Sequence, residues 1–172
     1  ELDCFTWMQE KKAQGLVRHI GFSYHDGAEL LDRVLTEHPE MEFVQLQLNY
    51  LDWESEGVQA RKCYEVATRH GKPVIVMEPV KGGTLAKLPT AAEAAFRAYA
   101  PEASIASWAI RFAASLDNVK VVLSGMSNMA QLRDNMGICA TSARSTRRSS
   151  ASSARQRTRS TRASRSPARG AR

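Results

Sequence analysis

With 172 residues, 43% of them hydrophobic, the chain can form one domain with a sizeable core and is too short for more than two. Its formal net charge of +6 averages two unlike segments: residues 140–172 hold ten Arg, no Lys and no acid, whereas residues 1–139 hold 14 basic and 18 acidic residues, a balance of −4. Three widely separated cysteines (Cys4, Cys63, Cys139) argue against a disulfide framework or a zinc site, and neither a membrane-length apolar run nor a signal peptide is visible.

A reduced, cytoplasmic setting is therefore expected. Glu1 falls near the start of a helix, so the true beginning is expected upstream. Leu2 to Gln14 reads as a helix closed by Gly15, a good left-handed cap. His19 to Ser23 is a short apolar run suited to a buried strand. Ala28 to Glu37 places Leu30, Leu31, Val34 and Leu35 on one helical face, with Pro39 soon after. Glu42 to Asn49 is the second strand, and Val58 to His70 a helix ended by Gly71. Pro73 to Met77 is the third strand, its proline at the first position, where a missing donor costs least. A loop with Gly82 and Gly83 follows, then alanine-rich helical sequence from Thr90 that Pro101 interrupts. Ile105, Trp108, Ala109, Phe112 and Leu116 form a helical stripe, with Trp108 and Phe112 most simply core. Val119 to Leu123 is the fourth strand and Asn128 to Met136 a short last helix.

Alternating strands and helices make this a parallel α/β protein. Four βα units in about 139 residues are near half of an eight-unit barrel of ~250 residues. That arithmetic fits half a barrel or a small open sheet.

From Ala140 the pattern vanishes, and 30 of the last 33 residues are Arg, Ser, Ala or Thr. Such a segment cannot bury a core and is expected to be disordered. One reading is a basic tail that grips nucleic acid through phosphates, which steeply salt-dependent DNA binding would reveal. The plainer reading is a frameshifted end, since misread GC-rich DNA also yields Arg, Ser and Ala.

A parallel barrel puts its site at the strand ends. Here those ends read HIGFSYH (His19 to His25), FVQLQLNY (Phe43 to Tyr50), VIVMEPVKGGTL (Val74 to Leu85) and VVLSGMSNMAQLRDN (Val121 to Asn135). In this order and spacing they resemble the aldo-keto reductases, particularly a bacterial subgroup with a ferredoxin-like cysteine cluster. The resemblance runs from about Glu1 to Gly137. It implies a partial TIM (β/α)8 barrel over residues 1–139, strands five to eight with their helices, followed by the basic tail.

The resemblance further implies NAD(P)H-dependent reduction of a small-molecule carbonyl, with NADP favoured over NAD only by Arg133 as a nearby cation. Ser23 and Gln45 match contacts to the nicotinamide carboxamide. Tyr24 stands where many relatives have a second such contact, an asparagine. Met77 falls where many relatives stack an aromatic residue on the nicotinamide. Ser124, Gly125, Met126, Ser127 and Asn128, with Gln131, Asp134 and Asn135, match the loop and helix that hold the adenosine phosphate and adenine. The residues themselves agree in part, because a Gly125/Ser127/Asn128 turn opening a helix offers backbone donors to a phosphate.

Plainer readings stand beside these. Ser23 could equally be a turn or cap residue, and Asp134 and Asn135 solvated helix residues. Gln45 on an apolar strand reads as a buried amide in need of partners. His25 lacks companion ligands and reads as a surface or site-rim histidine. Lys81-Gly82-Gly83 lacks phosphate-loop spacing and reads as a plain loop.

The family's catalytic tyrosine, lysine, aspartate and histidine have no matching position; by the resemblance they lie on strands one to four. No residue is therefore assigned a catalytic role, and the chain alone is expected to be inactive. Neither a metal nor an iron–sulfur centre is expected, Cys139 standing alone where the subgroup has its cluster. Open sheet edges and an apolar inner face predict an isolated chain that is poorly folded or self-associated, or one that pairs with a missing N-terminal half.

Overall fold

The computed structural model describes residues 3–138; the Arg-rich segment and Cys139 lie outside the described residues. The element order is α1 (Cys4–Ala13), β1 (Gly21–Tyr24), α2 (Ala28–Glu37), β2 (Phe43–Gln47), α3 (Ala60–Arg69), β3 (Val74–Met77), a 3-10 turn (Thr84–Ala86), α4 (Thr90–Tyr99), α5 (Ile105–Ala114) and β4 (Val119–Val122). Residues 129–138 are helical as well. Among the described residues no helix is long and apolar enough to cross a membrane.

Local chemistry explains the boundaries. The Asp3 carboxylate accepts from the Thr6 N–H at 3.1 Å and caps the start of α1. Gly15 (φ +72°) and Gly71 (φ +67°) turn left-handed just past α1 and α3, as their positions predict. The next amides, of Leu16 and Lys72, then reach back to the carbonyls of Lys11 and Ala67. The first strand starts two residues later than expected. The Ile20 N–H goes to the Glu42 carboxylate at 2.9 Å, so the ladder opens at Gly21. Lys12, 2.7 Å from the same carboxyl group, is the main reason its pKa falls to about 2, with the Ile20 N–H adding to the effect.

The four strands are parallel and lie in sequence order, β1-β2-β3-β4. Their helices cover one face. Tyr24, Val44, Leu46, Val74 and Val76 point into a core with Leu31 and Leu35 of α2, Cys63, Val66 and Ala67 of α3, and Ala113 of α5. In β4 a register shift places Lys120 opposite no partner, so that both Val119 and Val122 pack on this core. Phe112 and Leu116 are half-buried against it. Trp108 instead packs against Phe96, tilted, and Tyr99, edge to face, on α4, its Nε1 buried without a partner among the described residues.

The other face bears Ser23, Gln45, Gln47, Ile75, Met77 and Val121, every one half-buried or exposed. An apolar inner face was expected. The observed one is mixed, with two amides and a hydroxyl among its apolar side chains.

Two substitutions on one strand test this division. Leu46→Ala should lower unfolding stability by about 2–5 kcal/mol through a core cavity, whereas Gln45→Ala should stay within ~0.5 kcal/mol. Urea melts at fixed protein concentration measure both. Gly21→Ala should also destabilise, because a Cβ there would lie 2.7 Å from the Phe43 ring and closer still to its carbonyl oxygen.

Candidate functional site

Loops leave a parallel sheet at the carboxyl ends of its strands, so neighbouring loops build their site there. Beyond β3 and β4 the described residues enclose a cleft of about 550 Å³, the size of a small-molecule site. Met77 to Val80 with Gly82 and Gly83 make one wall, Leu123 to Met126 a second, and Gln131, Asp134 and Asn135 the third. Seven of the eleven residues singled out from the sequence meet here: Met77, Ser124, Gly125, Met126, Gln131, Asp134 and Asn135.

The other four do not line the cleft. Ser23 is exposed and sits beside Gln45 in the strand register, both on the open face. Gln45 is half-buried, which corrects the reading of a buried amide. The side chains around it on the open face leave it within reach of solvent. Its Nε2 donates to the Met77 Sδ at 3.4 Å, a soft acceptor that links it to the cleft wall. Ser127 and Asn128 serve the last helix instead. The Asn128 Oδ1 accepts from the Gln131 N–H at 3.0 Å, and the Gln131 Oε1 accepts from the Ser127 N–H at 2.8 Å, a variant of the capping box.

Asp134 and Asn135 are not solvated helix residues. Asp134 accepts from the Ser104 hydroxyl, which also caps α5, and the Asn135 Nδ2 donates to the Ser124 Oγ at 3.0 Å. Both fasten the last helix to its neighbours at the mouth of the cleft. Tyr24 points the opposite way from Ser23: its ring is buried, its hydroxyl donates to the Gly27 carbonyl at 2.6 Å, and burial first, then Asp26, pushes its pKa up to about 12.

Among the described residues no Lys or Arg side chain lines the cleft, while Glu78 and Asp134 do. Among these residues, positive potential there comes from the backbone. The amides of Gly82, Gly125 and Met126 have no acceptor among the described residues. The 78–83 loop is unusual: Glu78 (φ +55°) and Lys81 (φ +51°) are left-handed without being glycine, and Gly82 and Gly83 follow at +58° and +94°. Each such non-glycine residue costs roughly 1–2 kcal/mol. Sequence pattern identified this stretch only as a loop. The Gly82-Gly83 pair after a strand was the one available signal of close backbone approach.

None of the four tyrosines lines the cleft, and His25 is exposed beside a smaller cavity of about 150 Å³ at the end of β1. Among the described residues no three His, Cys, Asp or Glu side chains gather as metal ligands.

A parallel sheet with helices on one face and a loop-built cleft at its carboxyl ends defines a parallel α/β protein. The chain belongs to the aldo/keto reductase family, whose profile matches residues 2–148. Solved structures of similar fold include a thermostable aldo-keto reductase crystallised with the inhibitor epalrestat (TM-score 0.64, 21% identity, 79% of this chain and 48% of that one). A holo-form aldo-keto reductase from Bacillus halodurans gives 0.62 at 20% identity over 78% and 48%. An aldo/keto reductase from Klebsiella pneumoniae in complex with NADP and acetate gives 0.61 at 15% over 78% and 47%. The chain thus spans about half the length of these structures. No curated protein matches it significantly.

Cys63 opens onto the smaller cavity, but it is not built for reaction. Its thiol is buried and faces the Asp26 carbonyl oxygen at 3.6 Å. Burial, followed by the Asp26 carboxylate, pushes its pKa up to about 11, so almost no thiolate exists at neutral pH. Iodoacetamide at pH 7.5 should modify exposed Cys4 and spare Cys63 until urea unfolds the chain, as read by peptide mass spectrometry.

Proposed function

We propose that residues 1–139 are the cofactor-holding half of an aldo-keto reductase barrel, with β1 to β4 as its fifth to eighth strands. In this reading the chain binds NADP, or NAD, and does not reduce carbonyls alone. The observation that carries it is the convergence of seven sequence-selected residues on one cleft in a chain of this family. Two of the solved relatives were crystallised with NADP or NADPH.

The residues fit a dinucleotide. The cleft is large enough for much of one, and the unpaired amides of Gly82, Gly125 and Met126 can donate to phosphate oxygens. Asp134 and Asn135 line the cleft and, beyond their bonds to Ser104 and Ser124, keep polar atoms that an adenine edge could use. Gln45, spending its amide on a thioether, keeps hydrogen-bonding capacity for a carboxamide, with Ser23 one strand away. Met77 offers apolar contact to a flat ring.

The bound nicotinamide would supply hydride. Protonating the resulting alkoxide needs a weak acid, and among the described residues no tyrosine, histidine or lysine side chain lines the cleft. The hydroxyl of Tyr24 is committed to Gly27, that of Tyr50 is buried away from the cleft, that of Tyr64 accepts from the Asn118 N–H, and Tyr99 is exposed on α4. General acid catalysis is typically worth 10²–10⁴-fold, so carbonyl reduction should be undetectable. The open edges of β1 and β4 favour association with a second copy or with an N-terminal half.

Titration with NADPH, followed by its fluorescence, should saturate. Gln45→Ala should weaken binding about threefold to tenfold, the loss of one neutral hydrogen bond. Absence of binding would overturn the cofactor assignment, and aldehyde-dependent loss of NADPH absorbance would overturn the inactivity. Light scattering should give a mass above one chain; a cooperatively melting monomer counts against the half-barrel reading.

A further inference from the structure

Beneath the left-handed loop lies a polar cluster that the cofactor reading does not use. Asn49 is fully buried and Asp52 is 3% exposed, both just after β2. Asp52 accepts from the Gln47 Nε2 at 3.0 Å and the Asn49 Nδ2 at 2.9 Å, and its own N–H donates to the Asn49 Oδ1 at 2.9 Å. Two further bonds cross to the loop after β3. The Asn49 Nδ2 donates to the Glu78 carbonyl at 3.1 Å, and the Lys81 ammonium donates to the Asp52 carboxylate. These bonds hold Glu78 and Lys81, the two residues of the loop that are left-handed without glycine.

Strained backbone persists only where its surroundings over-determine it. A buried carboxylate likewise persists only where donors surround it. Here each condition meets the other. The carboxylate gathers three donors, one of them the side chain of a strained residue, and the loop gains two anchors from a different strand. Burial alone would raise the Asp52 pKa, yet Lys81, Gln47 and Asn49 together hold it below the usual carboxylate range, so the group stays charged.

We propose that Asn49 and Asp52, reaching across to Glu78 and Lys81, form a latch that locks the 78–83 loop in its left-handed shape and thereby sets how tightly the cleft retains a dinucleotide. The latch rests on the cofactor reading for its ligand but not for its geometry. Asp52 and Lys81 are positioning residues. Lys81 turns its charge away from the cleft into the latch, so its effect on the ligand passes through the backbone of Gly82 and Gly83.

The test uses the full chain with Lys81→Met, Asp52→Asn, the double variant and Lys81→Arg, with Lys62→Met as a control that cuts only the surface pair to Glu56. Lys81→Met leaves Asp52 bonded to Gln47 and Asn49, so it should fold even if Asp52→Asn does not. Stopped-flow displacement of NADPH should show release about tenfold faster in Lys81→Met, the size a charge-assisted hydrogen bond supports. The double variant should be no faster than either single, Lys81→Arg should recover most of the loss, and Lys62→Met should match the wild type. Additive effects, or release unchanged in Lys81→Met, overturn the latch. If the wild type binds no NADPH, the cofactor reading fails separately, and hydrogen exchange decides the latch by itself. Amides of residues 80–86 should then exchange about tenfold faster in Lys81→Met than in the wild type, and equal rates overturn it.

Discussion

The alternation of side chains along β2 governs the rest of this molecule. Val44 and Leu46 turn to the helices while Phe43, Gln45 and Gln47 turn to the open face, and parallel pairing forces β1 and β3 into the same phase. One face of the sheet is thereby used up in packing: α2 and α3 close over it with Leu31, Leu35, Val66 and Ala67, and α5 with Ala113. What remains for chemistry is the opposite face and the loops beyond the strands. Ser23, Gln45 and Met77 occur on one surface because a period of two leaves them no other.

That phase also decides the two polar clusters at the sheet's carboxyl end. Gln47 lies on the open face one residue pair beyond Gln45, and its amide turns to Asp52 instead of toward Met77. The strand therefore supplies one amide to the open surface and one to the buried cluster beneath the next loop. Parallel topology then makes the neighbouring loop the natural partner of that cluster, since β3 ends beside β2 with Gln47 paired to Met77. A charge can be buried at Asp52 because Lys81 arrives from that neighbour.

Most of the fold was legible because its signals are local. The stripe of Leu31, Val34 and Leu35, the glycines at 15 and 71 and the apolar run before Met77 each depend on a few adjacent residues, and each element appeared within about two residues of its expected place. Contacts between distant segments were not legible. Asn49 read simply as the end of the second strand and Asp52 carried no signal, because their partners Glu78 and Lys81 lie 29 positions away. The same limit explains Asp134, whose bond to Ser104 spans 30 positions. Asn128 and Gln131 carry a local signal as well: their spacing caps the last helix, and Gln131 also lines the cleft. Gln45 lies on its expected strand but is only half-buried: an amide between Val44 and Leu46 looks buried unless the strand's phase is followed side chain by side chain.

Binding and catalysis separate cleanly in such an arrangement. Interactions accelerate a reaction only when they are stronger in the transition state than in the ground state. The groups that the described residues bring to this cleft are backbone amides, carboxamides, a hydroxyl, two thioethers and two carboxylates, none of which gains much as an alkoxide develops on a distant carbonyl. On the proposed reading they would grip a dinucleotide equally before and during hydride transfer, and so would lower its dissociation constant without lowering the barrier. A latch that stiffens the loop strengthens that uniform grip still further, because the ordering entropy of residues 78–83 is met on folding and not on binding. On the proposed cofactor reading, retention of the dinucleotide would follow from the residues of this sheet and its loops, while acceleration would need an acid supplied by another surface.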